Sequence, residues 1–441
     1  MTSSGLVTGN RSPRRSMSAV HVTMEPKNRT VIKCWIRRLL PGLAYERWSI
    51  LLERGCTDPQ VALVGIHKFL LAKTNLPQTL ANEQLFIPPL DLIASHDTFF
   101  WGSVFFLFAM AVLLTSAIFT ADPAAHVFND RVYVYPSHDR ENNFSLSDDG
   151  SDKYDMADYH IFSTSSLNPY DPATDHGVAL SVPDIPWVSR QLWAPDVAFQ
   201  NDKYYLYFPA RNKESDLFQI GVAVSEKPEG PFTPDPEPIP GSFSIDPAVF
   251  FDDDGQGYMF FGGLWGGELQ CYQKDNKYDA SWAGNQSPNG TGVYALGPRV
   301  AKINSSDMHH FDGEPQELQI LDPETKKPLL ADDEDRRFFE APWMHKKGDT
   351  YYFSYSTGTT HYLVYATSKS PLGPFTYAGR ILEPVVGWTT HHSIIEYKGQ
   401  WWLFFHDASL SNGTDYLRSV KFEPIFYDKD GKLTIVKPET K

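Results

Sequence analysis

One unit recurs five times in the C-terminal three quarters of this chain, and it limits the available folds more than any other feature. Each copy runs through a short start motif, an apolar pair, a polar turn and an aromatic strand. The copies open at Asp122-Pro-Ala-Ala-His-Val-Phe, Ala194-Pro-Asp-Val-Ala-Phe, Asp246-Pro-Ala-Val-Phe-Phe, Glu340-Ala-Pro-Trp-Met and His391-His-Ser-Ile-Ile. The aromatic strands that follow read VYVYP, YYLYF, YMFFG, YYFSY and WWLFF. Polar pairs such as Asn129-Asp130, Asn201-Asp202 and Lys398-Gly399 between two apolar runs are hairpin signals. A second repeat is stricter: Ser225-Glu-Lys-Pro-Glu-Gly-Pro-Phe recurs as Ser368-Lys-Ser-Pro-Leu-Gly-Pro-Phe, each after an alternating strand.

A hairpin plus further strands, repeated every 50–95 residues, is the pattern of β-propeller blades. Five starts predict an all-β, five-bladed propeller over residues 120–441. Its blades bury both faces on their neighbours, which accounts for an aromatic content of 14%. A β-sandwich would bury as many aromatics but has no need of a repeated start motif.

Upstream of the repeats the character of the chain changes. Residues 1–98 carry twelve Lys and Arg against seven Asp and Glu, and open with a Ser-, Arg- and Pro-rich run. A basic, poorly structured leader is expected there, or an upstream extension foreign to the natural protein. Residues 99–119, FFWGSVFFLFAMAVLLTSAIF, hold no charge and are long enough for one hydrophobic helix across a bilayer. With basic residues before it and acidic residues after, such a helix would leave the C-terminal domain outside the cell. Membrane association through 99–119 is expected on that reading, as a single-pass anchor or as a signal cleaved near Ala117. A chain starting near residue 118 is expected to fold without the leader. Sequons at Asn143, Asn285, Asn289, Asn304 and Asn412 agree with a secreted, glycosylated body. That body is strongly acidic and the whole chain carries a net charge of −15, which excludes nucleic acid as a partner.

In a propeller the innermost strands all begin around the axis at one face, so the start motifs meet in space. Asp122, Asp246, Glu340 and His391 stand at those starts. Asp before Pro is also a common turn opener. Packing alone, however, gives no reason to gather three carboxylates and a histidine at one point, because like charges placed together cost energy. Of the neighbouring His391 and His392, only one can face inward, because side chains alternate along a strand; the repeat phase selects His391. Trp193 and Trp265 are candidate flat aromatic walls for that point, the latter in the loop-like run Gly262-Gly-Leu-Trp-Gly-Gly.

The motifs Ala121-Asp122-Pro123, Trp193-Ala-Pro-Asp196, Ser244-Ile-Asp246-Pro247, Phe339-Glu340-Ala-Pro342-Trp343 and His391-His392-Ser393-Ile394 stand in the order found in glycoside hydrolase family 43. Residues 120–433 resemble that family. The resemblance implies a general base at Asp122, a general acid at Glu340, and Asp246 as the carboxylate that orients the acid and raises its pKa. It further implies a central metal, often calcium, near His391, and a substrate-binding Arg in the last blade, matched by Arg418. No cofactor is needed for the chemistry. Inversion requires one protonated and one ionised carboxyl on opposite sides of the bond, which is what three unequal carboxylates can supply.

The implied activity is removal of xylose or arabinose from xylo-oligosaccharides or arabinoxylan, foremost as an exo-acting β-1,4-xylosidase. The alternatives are an α-L-arabinofuranosidase and a non-catalytic sugar-binding propeller. The retaining fructan hydrolases carry Arg-Asp-Pro and Glu-Cys where this chain has Ile245-Asp246-Pro247 and Glu340-Ala341. An insertion in the first blade, Glu141 to Asp158, is placed to cap the pocket.

Overall fold

The computed structural model describes residues 20–25, 29–36, 46–52, 111–142, 151–388 and 390–435. Two units are distinct, residues 1–110 and 111–441. In the first, β1 (Val20–Glu25), β2 (Arg29–Ile36) and β3 (Glu46–Leu52) pair as an antiparallel sheet in the order β1-β2-β3. Runs such as Thr30-Val-Ile-Lys-Cys-Trp-Ile have the β-branched and aromatic content that favours strands. Regular pairing is thus present in a leader expected to be poorly structured.

The second unit is a ring of five sheets. It begins with β4 (Val112–Leu113), which belongs to the last blade. Blade I holds β5 (Phe119–Phe128), β6 (Arg131–Asp139), β7 (Asp158–Thr164) and β8 (Thr174–Ser181). Blade II holds β9 (Val188–Arg190), β10 (Asp196–Gln200), β11 (Lys203–Asn212), β12 (Phe218–Ser225) and β13 (Thr233–Pro234). Blade III holds β14 (Ala248–Phe251), β15 (Gly257–Phe261), β16 (Arg299–Ile303) and β17 (Gln316–Glu317). Blade IV holds β18 (Ile320–Leu321), β19 (Glu340–Lys347), β20 (Thr350–Ser356), β21 (Leu363–Ser368) and β22 (Phe375–Leu382). Blade V holds β23 (His392–Tyr397), β24 (Gln400–Asp407), β25 (Ser419–Tyr427) and β26 (Leu433–Thr434).

The innermost strands β5, β10, β14, β19 and β23 neighbour one another in a closed circle. Each repeated start motif opens one of them. The hairpin turns fall where their residues predict: Asn129-Asp130 and Asn201-Asp202 have positive φ at both positions, as does Lys398-Gly399. The strands after the turns are buried on both faces; in β11 every residue from Tyr204 to Ala210 is inaccessible. A blade in the middle of a stack has no solvent face, so its central strand reads as a continuous aromatic run. The stricter repeat is also structural. Its two copies lead out of β12 and β21, and each places a positive-φ glycine, Gly230 or Gly373, where a Cβ would meet the ring of Phe232 or Phe375 at 3.0 Å.

Polar contacts stitch the inner strands together across all five blade interfaces. His126 Nε2 lies 2.6 Å from Asp196 Oδ1, joining blades I and II. Asp196 Oδ2 accepts the Val249 N–H of blade III at 2.6 Å. Asp246 Oδ2 accepts the Ala341 N–H of blade IV at 3.0 Å. Trp343 Nε1 donates to the Ile394 carbonyl of blade V at 3.0 Å. The Ala125 N–H donates to Ser393 Oγ at 3.0 Å and returns the circle to blade I. Each contact satisfies a buried polar group that would otherwise cost stability.

The expected hydrophobic helix over 99–119 is corrected where the structure describes it. Residues 99–110 lie outside the described residues. In 111–119, Val112 and Leu113 pair with Phe422 and Lys421 of β25, and Phe119 already belongs to β5. Leu114 is buried, and its N–H donates to the Val420 carbonyl at 2.8 Å. Among the described residues, no helix is long and apolar enough to cross a membrane. Within the described part, residues 112–114 instead pack as an edge of the last blade. Cleavage near Ala117, or a start near residue 118, would strip β4 and Leu114 from the ring.

Candidate active site

The start motifs converge on a cavity of about 540 Å³, within the size range of small-molecule sites. Asp122, Trp193, Asp246, Trp265, Glu340, His391 and Arg418 all line it. Local backbone geometry aims the carboxylates. The β5–β6 register shifts between Ala121 and Ala124, and the β19–β20 register between Glu340 and Trp343. Such bulges turn a side chain away from the regular alternation of a strand. In three of the motifs the residue before proline has positive φ: Asp122 (50°), Asp246 (58°) and Ala341 (60°). Positive φ is uncommon for residues other than glycine, and outside tight turns it marks local strain of the kind concentrated at functional sites. Glu340 therefore stands one residue ahead of the position that Asp122 and Asp246 occupy. Ala341 fills that position and gives its N–H to Asp246.

The two sides of the cavity differ electrostatically. Asp122 is buried, yet Arg418 Nη1 donates to its Oδ1 at 2.9 Å and Ser137 Oγ to its Oδ2 at 2.7 Å. His406 Nδ1 accepts the Asp122 backbone N–H at 2.9 Å. Burial works to raise the Asp122 pKa, but Arg418, His406, His391 and the Ser137 hydrogen bond together outweigh it and hold the group at about 2. Arg418 is itself fixed by Asp139, whose two carboxylate oxygens each accept from it at 2.8 Å. Asp246 experiences the opposite balance. Burial first, then the charges of Glu340 and Asp122, push its carboxyl well above the usual range, against the Ala341 N–H. One carboxylate is thus kept ionised, while across the cavity a pair of carboxyls resists carrying two charges.

His391 faces the cavity, whereas His392 is fully buried with Nε2 2.6 Å from Ser354 Oγ. His391 Nδ1 lies 3.9 Å from Asp122 Oδ1 and 3.8 Å from Asp246 Oδ2. Burial lowers its pKa to about 4, against the pull of Asp122, so the ring is neutral at ordinary pH. A neutral imidazole between two carboxylates suits a divalent cation on the axis. Calcium prefers six to eight oxygen ligands, and the Asp122 oxygens are taken by Arg418 and Ser137. His391 would hold such an ion with water completing its shell.

The aromatic walls are in place. Trp193 donates Nε1 to the Tyr154 carbonyl at 2.9 Å. Trp265 stacks on Trp388 with ring centroids 5.9 Å apart. Its glycine-rich loop folds as short 3₁₀ turns, Trp265–Gly267 and Leu269–Tyr272. A Cβ on Gly263 or Gly267 would meet Ile245 at 2.6 Å, so this loop can press close to the Asp246 strand only as glycine. From the blade I insertion, Ser151, Lys153, Tyr154 and Met156 line the cavity; residues 143–150 lie outside the described residues. Lys153 Nζ reaches Asp415 of blade V at 2.9 Å and bridges the mouth.

Sequence reasoning missed Ser137, Asp139, His406, Tyr154, Trp388 and Asp415. Ser137, Asp139 and His406 had a signal. In each hairpin the end of the second strand lies opposite the start of the first, as in the pairing of Phe119 with Asp139. Polar residues ending those aromatic strands, Ser137-His-Asp139 and His406-Asp407, therefore return to the same face.

A propeller whose inner strands aim unequal carboxylates into a pocket walled by indole rings is built to cleave glycosidic bonds by acid–base catalysis. The chain belongs to glycosyl hydrolases family 43, whose model matches residues 115–433. It is similar to the xylosidase/arabinosidase 43A of Humicola insolens, 67% identical over 75% of this chain and all of that one. Solved structures agree. RS223 β-xylosidase is 52% identical with a TM-score of 0.70, covering 73% of this chain and 97% of its own. A family 43 enzyme of Xanthomonas citri, complexed with xylotriose, is 50% identical with a TM-score of 0.68, covering 74% of this chain and 93% of its own.

Proposed function

We propose that this enzyme is an inverting, exo-acting β-1,4-xylosidase that releases xylose from the ends of plant cell-wall xylo-oligosaccharides. The observation that carries this reading is the contrast between the arginine-clamped Asp122 and the mutually repelling pair Asp246 and Glu340. Asp122 takes a proton from water as that water attacks the anomeric carbon. Glu340 gives its proton to the leaving oxygen as the glycosidic bond breaks. Asp246, fixed by the Ala341 N–H, orients the acid and makes its ionisation costly. Arg418 keeps the base ionised and in place. A calcium ion beside His391 would add positive charge near Asp122; the proton transfers run through the carboxyls alone.

The substrate assignment is supported by relatives named β-xylosidase and xylosidase/arabinosidase and by the xylotriose complex. Exo action is supported by the blade I residues Lys153 and Tyr154, which close one side of the cavity. The double name of several relatives favours a second activity, α-L-arabinofuranosidase, in the same pocket. Comparing kcat/KM on nitrophenyl xyloside and nitrophenyl arabinofuranoside, with proton NMR of the first product, tests both. Retention of configuration, or preference for arabinofuranoside, would overturn the main reading. An extracellular site of action is proposed with it, supported by exposed sequons at Asn289 and Asn412.

A further inference from the structure

Outside the cavity, blade I carries a cluster that the hydrolytic chemistry does not use. His138 is the penultimate residue of β6, while Asp158 and His160 open β7, two residues apart and therefore on one face of the strand. His138 Nδ1 lies 2.6 Å from Asp158 Oδ1, and His160 Nε2 lies 3.9 Å from the same oxygen. The two imidazoles meet edge-on with centroids 4.9 Å apart. One ligand atom from each residue falls within 4.8 Å of the others. All three side chains are partly buried, at 17–22% exposure, so the cluster is sheltered yet open to solvent on one side.

A second observation sets this cluster apart from an ordinary hydrogen-bonded histidine pair. The far nitrogen of His160, Nδ1, sits 3.0 and 3.1 Å from the two oxygens of Asp175 on β8. That contact orients the ring so that Nε2 is turned toward Asp158. Metal-binding histidines are oriented in this way, by a carboxylate on the nitrogen away from the ion.

We propose that His138, Asp158 and His160 form a site for a zinc-type divalent ion, distinct from the axial position at His391. Ligands on a tetrahedral ion with bonds of about 2.0–2.1 Å stand roughly 3.4 Å apart. The His138–Asp158 contact has to open and the His160–Asp158 contact to close, each by less than 1 Å on that estimate. The ion takes the place of the direct His138–Asp158 contact, and water takes the fourth position. The site ties β6 to β7 at the root of the insertion that carries Ser151, Lys153, Tyr154 and Met156 into the substrate cavity. An ion there clamps the arm that closes the pocket.

The test is calorimetric titration of the chelator-stripped full chain with Zn²⁺, with Co²⁺ absorption as a readout of coordination. The expected result is one zinc equivalent that raises Tm and survives in His391→Gln. Binding is lost in both His160→Gln and His138→Gln, and weakened about 10–100-fold in Asp175→Asn. Circular dichroism without metal checks that each variant is folded. Zinc binding that persists in either ligand variant, or is absent from the wild type, overturns the assignment.

Discussion

Arg418 Nη1 lies 2.9 Å from Asp122 Oδ1, so the last blade grips a buried carboxylate of the first. The same guanidinium is gripped by Asp139, which leaves it no freedom to turn away. The charge state of Asp122 is therefore set across a blade interface, and this has a measurable sign.

Replacing Arg418 with Ala should move the acid limb of kcat/KM upward. In the wild type, Asp122 at about 2 stays ionised through the working range. Without the guanidinium, burial dominates and raises its pKa by roughly 1–3 units. Activity near pH 4–5 should then fall more than activity near pH 7. A pH profile that drops uniformly would show that Arg418 acts on substrate binding alone.

Glu340→Gln should spare substrates whose leaving groups need no proton. Hydrolysis of dinitrophenyl xyloside should fall far less than that of xylobiose, for which a loss of about 10²–10⁴-fold is expected. Asp122→Asn should damage both alike, because water activation is common to every substrate. Equal losses on the two substrates in Glu340→Gln would remove it from the acid role.

Chain length gives a structural prediction. A chain beginning at residue 111 should keep full stability, and one beginning at 119 should not. Leu114 is buried and β4 pairs with β25. Leu114→Ala alone should cost about 2–4 kcal/mol. Equal melting temperatures for the two chains would mean that β4 contributes nothing to closure.

Acid stability should be limited by buried imidazoles. His345 is buried in blade IV with Nε2 2.6 Å from Tyr427 Oη, and burial lowers its pKa to about 3. The unfolded chain takes up this proton below about 6.5 and the folded chain does not. Stability conferred by the neutral ring is complete above that value and shrinks as pH falls toward 3, by about 1.4 kcal/mol per unit. Melting curves of His345→Phe should show a shallower fall below pH 6.5 than the wild type. Parallel slopes would assign the acid sensitivity elsewhere.

The sequence made some of this legible and concealed the rest, for physical reasons. Asp122, Asp246 and Glu340 were readable because a propeller converts sequence phase into spatial convergence. Asp139 and His406 were harder to see, since they sit at the ends of second strands, where the phase is reached only by counting back through a hairpin. Ala341 shows the limit of phase itself: it occupies the strained position of the motif, while Glu340, the proposed acid, stands one residue earlier. The stretch before Asp122 was ambiguous for a different reason. Freedom from charge is shared by a lipid-facing helix and by a short strand such as residues 112–113, which pair with β25, and composition does not separate them.

The seam at β4 and β5 also changes what heat inactivation measures. The ring has one covalent gap, and Asp122, the proposed base, lies a few residues from the strand that closes it. Release of residues 112–114 from β25 would loosen the hold of Arg418 on Asp122 before the other four interfaces part. Thermal loss of turnover in this enzyme is accordingly a gauge of one latch, and it should precede the melting of the aromatic core that calorimetry detects.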